Sequence, residues 1–415
     1  MKPFTNVGRS IMTKRPAAPV WTTILAILGC SLLGCSDDSA TDDKDPTRTS
    51  QAAPFSSAQA CRACHQSIYD RYIATGHFLT SRPAVKAAIP GDFGPGGNIV
   101  QTELDGLSFK MERRTNGLFQ TAIYTKGKTA VYRKPFEIII GSGERGQTYL
   151  YWEQDRLYQL PVTYIAPKKN WILSPGYDER VPSWAHLPNR SLSMFYQRPV
   201  GARCLECHAS AVTPSQTPIA YTFHPESLEF GISCEKCHGP GADHIAFHQK
   251  HPEEKEGLHI VNPARLSRSQ QLSSCALCHA GQGVPVTPPL SFRPGDEIAD
   301  HRHYSKEEQK ILSVHGGQVP FLEESRCFVE SGTMTCSTCH NVHEDQTDRT
   351  ELFSQKCLSC HPQSHPDDDP VLVNGNRCTE CHMPDQQATN LTLFHQGDLF
   401  FLSMANHRIG IFKDQ

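Results

Sequence analysis

The sequence predicts an α+β fold with two unlike parts, a region of short helices and irregular loops and an antiparallel β subdomain inserted near its start. Three observations carry this. The pentapeptide Cys-x-x-Cys-His occurs seven times, beginning at Cys61, Cys204, Cys234, Cys275, Cys336, Cys357 and Cys378. Between the first two copies, Asn116-Gly117 and Lys126-Gly127 are turn signals separating short β-forming runs such as 119–124 and 129–133. After Cys204, motifs alternate with Pro- and Gly-bearing segments, which leaves no room for long regular elements.

Cys-x-x-Cys-His is the attachment signature of c-type haem: two thiolates add to the haem vinyl groups and the following imidazole ligates the iron. With 17 Cys and 21 His in 415 residues, chance would supply roughly 0.04 copies. Seven covalently bound c-type haems are therefore expected, held by Cys61 and Cys64, Cys204 and Cys207, Cys234 and Cys237, Cys275 and Cys278, Cys336 and Cys339, Cys357 and Cys360, and Cys378 and Cys381. The proximal iron ligands are His65, His208, His238, His279, His340, His361 and His382. Zinc is the competing reading, but zinc ribbons pair two knuckles around one tetrahedral ion and need no His after every second Cys.

Residues 1–34 read as a lipoprotein signal peptide. Lys2, Arg9, Lys14 and Arg15 form a basic start, and the apolar stretch from Val20 is too short to span a bilayer comfortably. It ends Leu32-Leu33-Gly34-Cys35, which resembles a bacterial lipobox and makes Cys35 the lipidated residue; Cys30 is a rival site, and an uncleaved membrane anchor the other reading. Residues 35–57 are polar and aperiodic, a flexible tether. Ser36 points to the outer membrane, on the periplasmic side of the envelope.

Residues 58–82 form the first haem segment, with a helix expected over 66–75 and Gly76 as its stop. Residues 83–203 form the β-rich insert. Its Gly141-Ser142-Gly143-Glu144-Arg145-Gly146 matches G-x-G-x-x-G, but β-forming aromatics follow where a dinucleotide-binding unit needs a helix, so a glycine turn is expected. Residues 204–415 form the six-haem domain. Six motifs between 204 and 382 leave about 30 residues per haem, too few for each porphyrin to have its own core. A haem-packed, largely helical and irregular multihaem cytochrome follows, its macrocycles stacked closely enough to conduct.

Fourteen motif cysteines, Cys30 and Cys35 leave only Cys327, read as a buried structural thiol. A net charge of −3 gives no basic face for nucleic acid. The implied partners are redox proteins of the envelope, and the membrane through the lipid anchor.

What occupies each sixth iron position decides function, because two imidazoles saturate the iron for electron transfer whereas an open position can bind a small molecule. Fourteen His lie outside the motifs. One that follows a proximal His by a few residues lies on the same side of that porphyrin and would ligate a neighbouring haem; His244, His343 and His365 fit this. The favoured distal ligands are His77, His244, His343, His395 and His407. A second rank holds His186, His224, His259, His303, His315 and His365, while His248, His251 and His301 read as solvated.

These residues also carry a resemblance. Cys61-Arg-Ala-Cys-His-Gln-Ser-Ile-Tyr through His77, Cys234-Glu-Lys-Cys-His-Gly-Pro-Gly through His244, Thr335-Cys-Ser-Thr-Cys-His-Asn-Val-His343, and Cys378-Thr-Glu-Cys-His-Met-Pro384 with His395 and His407 resemble exported multihaem c-type cytochromes related to hydroxylamine oxidoreductase, its tetrahaem electron acceptor and pentahaem nitrite reductase. The stretch from Ile140 to Tyr177 resembles the β insert of multihaem relatives of unknown activity. The resemblance implies stacked haem pairs and redox work in the cell envelope. It also marks a departure: pentahaem nitrite reductases replace the motif His by Lys at the active haem, and no motif here does so. Octahaem oxidoreductases leave one site open beside a Tyr crosslink, which 12 tyrosines do not exclude, although the motif count is one short. The leading expectation is envelope electron transfer. The alternatives are a multihaem oxidoreductase acting on a small nitrogen or sulfur compound at one open haem, and a structural or sensing subunit.

Overall fold

The computed structural model describes residues 56–177, 192–215, 221–314, 316–362, 377–395 and 398–412, all within one unit, Thr49–Gln415. The signal segment, Cys30, Cys35, the tether up to residue 55, His186, His315 and His365 lie outside the described residues. The fold is α+β, with short helices and antiparallel sheets. No helix among the described residues is long and apolar enough to cross a membrane.

The chain enters through helix α1 (Ala58–Tyr72), which kinks at His65, where φ −114° and ψ 37° leave the helical region. The expected helix over 66–75 is therefore displaced: it begins upstream, with the first motif wound into it, and ends earlier. Thr75 explains the stop, its hydroxyl donating to the Tyr72 carbonyl at 2.8 Å. Tyr72 is buried and donates to the Ile232 carbonyl at 2.5 Å, fixing α1 to the chain just before the third motif.

Two sheets follow. The first orders β1 (Ser81–Pro83), β6 (Ile138–Ile140), β7 (Gly146–Glu153), β8 (Arg156–Gln159) and β11 (Arg198–Pro199); β9 (Val162–Ile165) also pairs with β7, and β10 (Asn170–Leu173) with β9. The second orders β2 (Ile99–Gln101), β3 (Leu107–Arg114), β4 (Gly117–Tyr124) and β5 (Ala130–Pro135). On β3, Leu107, Phe109 and Met111 are buried and the residues between them are not, the two-residue alternation of a half-covered sheet. The β3–β4 turn closes at Arg114 opposite Gly117, whose φ of +133° suits only glycine. The G-x-G-x-x-G segment is the β6–β7 connection: Gly141 has φ +104°, and a Cβ there would meet the Gly146 carbonyl oxygen at 2.5 Å.

Phe109, Met111, Phe136, Tyr149, Tyr151 and Trp171 lead a single aromatic-rich core. The buried Gln120 amide spans it, donating to the Val162 carbonyl at 2.7 Å and accepting from the Val162 amide at 2.9 Å, so each β4 polar atom there is satisfied. A second cluster carries the sheet into the motif region: Ile138, Leu150 and Leu157 pack with Val200, Ala202, Leu205, Ala209 and Phe223 around helix α2 (Ala202–His208), which bears the second motif.

Beyond α2 the helices are short: α3 (Cys234–His238), α4 (Ala242–Lys250), α5 (Arg268–His279), α6 (Gln318–Glu323), α7 (Arg326–Ser331), α8 (Cys336–Cys339), α9 (Thr350–Leu358) and α10 (Cys378–His382). The longest, α5, starts at a capping box between Ser267 and Gln270. Buried apolar clusters here are small, such as Leu272 with Leu322 and Phe328, or Ala276 with Ala280 and Val319.

Candidate haem sites

Every motif sits at or within the end of a short helix, because Cys-x-x-Cys-His spans about one turn and places both thiols and the imidazole on neighbouring faces. The imidazoles then form pairs. His65 and His244 are stacked, with ring centroids 6.3 Å apart and planes inclined by 15°. His238 and His343 are stacked at 6.1 Å and 18°. His340 and His407 are stacked at 6.2 Å and 24°, and His77 faces His279 at 6.0 Å with its plane turned by 82°.

These separations fit a definite group. With a metal–imidazole bond of about 2.0 Å and a ring nitrogen about 1.2 Å from its centroid, two imidazoles ligating one iron from opposite sides would have centroids about 6.4 Å apart. A zinc site needs donors that converge, and among the described residues no three His, Cys, Asp or Glu do so.

The second nitrogens show the same preparation. His238 donates from Nδ1 to the Val261 carbonyl at 2.9 Å, His244 to Leu258 at 2.8 Å, His382 to Gly410 at 2.8 Å and His407 to Ala405 at 3.2 Å. A carbonyl can only accept, so these bonds make Nδ1 the donor, the arrangement that orients ligating histidines. His208 Nδ1 bonds the Thr80 hydroxyl at 2.9 Å. Desolvation by the surrounding chain lowers the pKa of His77, His244, His340, His343 and His407, and pushes that of His279 down to about 4. Neutral imidazole is the form that binds a metal.

The motifs also approach one another. The thiols of Cys61 and Cys234, of Cys207 and Cys278, of Cys275 and Cys336, and of Cys357 and Cys378 lie within hydrogen-bonding reach. Beside Cys207, the buried Glu206 and Arg302 form an ion pair; Glu206 accepts from the Leu290 amide and Arg302 donates to the Leu277 carbonyl.

Of the five favoured distal histidines, His77, His244, His343 and His407 each face a motif histidine from a different part of the chain, and His395 ends the strand Leu393–His395 with its side chain outside the described residues. His224, His259 and His303 are exposed. Two histidines read as solvated are not. His301 is held by Thr287 at 2.8 Å and Asp296 at 3.1 Å, and His248 packs against His244 with a buried Nε2 that has no partner. Spacing could have flagged His248, one helical turn after His244 on α4. Cys327, expected to be buried, is half-buried.

The family model for cytochrome c554 and c-prime matches residues 187–239, which contain the second and third motifs. The C-type polyheme cytochrome OmcC of Geobacter sulfurreducens is 25% identical over 159 residues, 33% of this chain and 20% of that protein, so the chain spans about a fifth of the length of this curated relative. The crystal structure of the outer cell wall cytochrome OcwA aligns with a TM-score of 0.48 and 18% identity over 86% of this chain and 79% of that one. With its repeated attachment motif and these sequence matches, the chain is a multihaem c-type cytochrome.

Proposed function

We propose that the chain is a heptahaem electron-transfer protein of the bacterial cell envelope, exported and tethered to the outer membrane through a lipid on Cys35. The observation that carries this reading is the set of four imidazole pairs at 6.0–6.3 Å. A bound c-type haem supplies one-electron exchange between ferric and ferrous iron. The chain does the rest. Paired cysteines would hold each group, the motif histidine would ligate its iron, and the facing histidine would supply a second imidazole and exclude substrate. His65 with His244, His238 with His343, His279 with His77 and His340 with His407 are the saturated sites. Adjoining thiols bring neighbouring sites side by side, which suits passage of single electrons. Redox proteins of the envelope are the partners, and nucleic acid is not.

Intact-mass analysis of the mature protein tests the reading: seven haem additions and a lipidated Cys35 are expected, and Cys35→Ala should release the protein from the membrane fraction. Fewer than seven haems would overturn the heptahaem assignment. A substoichiometric high-spin ferric signal together with turnover of a small nitrogen or sulfur compound would transfer the assignment to the oxidoreductase reading.

A further inference from the structure

The order of the motifs in the sequence is not their order in space. Motif one meets motif three, through the Cys61 and Cys234 thiols, the packing of α1 on α3, and the approach of His244 to His65. Motif two meets motif four, through Cys207 and Cys278 and the packing of α2 on α5. Motif five joins motifs three and four: Cys275 adjoins Cys336 where α5 packs on α8, and His343, three residues after the fifth motif's histidine, faces His238. Motif five passes to six where α8 packs on α9, and six to seven where α9 packs on α10.

The thiols, though not the histidines, divide in the same way. Both cysteines of motifs three, four and five are half-buried, whereas Cys64, Cys204, Cys360 and Cys381 are exposed. Each exposed thiol thus belongs to a motif at the periphery of this contact pattern.

We infer that the seven sites form a three-ended junction rather than a line. Motifs three, four and five are the hub. Motif one, motif two and the pair six–seven are three separate arms, each with an edge at the surface where a one-electron carrier can exchange. A line joins two partners; this arrangement joins three. The ends also differ in what surrounds them. Motif one borders a cavity of about 420 Å³ lined by Gln59, Arg62, Ala63 and Gln66. Motif two is backed by the β subdomain through the cluster around Leu205. The six–seven arm lies at the opposite end of the motif sequence, with no part in either contact.

This inference rests on the heptahaem reading, and one experiment separates the two. Anomalous scattering at the iron edge from crystals of the haem-loaded protein locates each iron without reference to activity. Seven irons are expected, with the iron of motif one nearest that of motif three, the iron of motif two nearest that of motif four, and motif two on no path between one and three. Seven irons strung in sequence order, with motif two lying between one and three, would overturn the junction while leaving the heptahaem reading intact. Fewer than seven would overturn the heptahaem reading and the junction with it.

Discussion

The β subdomain and the motif region solve the same problem with different material. Between β1 and β11 the chain buries its own aromatics, and Phe136, Tyr149 and Trp171 meet one another with ring centroids 4.7–6.1 Å apart, within the range of favourable aromatic pairs. Beyond the cluster around α2 the buried apolar residues come in groups of three or so, and the motif thiols beside them are half-buried or exposed. A sheet with a continuous apolar face can hold itself together; a set of short helices with separate small clusters cannot bury enough surface to offset the entropy of ordering them. The difference shows which half of the molecule depends on its cofactors.

The largest expected effect breaks that dependence directly. Produced without haem attachment, the protein should lose native structure across the motif helices while the β subdomain retains its strands. Limited proteolysis should then cut beyond Cys204 about tenfold or more faster than within 81–173; equal cutting of both regions would remove the distinction. Next is the β core itself. Trp171→Ala deletes a buried ring whose indole N–H donates to the Asp92 carbonyl at 2.6 Å, and should cost about 3–5 kcal/mol by chemical denaturation with the haem content unchanged. A loss of haem from this variant would show that the regions are coupled more tightly than the packing suggests.

The seam between them carries the third test. Glu206→Gln leaves the Arg302 guanidinium buried without its counter-charge beside the second motif, and should cost about 3 kcal/mol, read as a lowered denaturation midpoint. The smallest effect is on pH. His279 has its pKa lowered to about 4 in the fold, below the ordinary value of about 6.5, so the unfolded state takes up the proton first as pH falls. Stability should be full above about 6.5 and decline modestly as pH falls from there towards about 4, solvent screening of the exposed ring keeping the loss small, and ligation by iron acts in the same direction. A midpoint that rises on acidification over this window would contradict the neutral imidazole.

Much of this division was legible in the residues. Spacing alone marks the seven motifs, since the attachment chemistry is local to five positions. The β subdomain announces itself through Asn116-Gly117 and the alternation of Leu107, Phe109 and Met111, again local signals. The rule that a histidine just beyond a motif serves a neighbouring site anticipates His244 opposite His65 and His343 opposite His238. Which ring faces which was not legible, because His77 reaches His279 and His407 reaches His340 across long stretches of chain, and only the tertiary packing sets those distances. The same holds for His301: nothing near it in sequence tells that Thr287 and Asp296 will close around it. The start of α1 was misplaced because a haem motif wound as a helix carries no apolar period of its own.

The central claim is that facing histidines close the iron sites. Low-temperature electron paramagnetic resonance of the fully oxidised protein, integrated against total iron, tests it most directly. Of seven irons per chain, four or more should be low-spin with two imidazole ligands, and His77→Ala should convert one of them to high spin without loss of iron. Fewer than four low-spin irons, or a His77→Ala spectrum identical to that of the parent, would contradict the account.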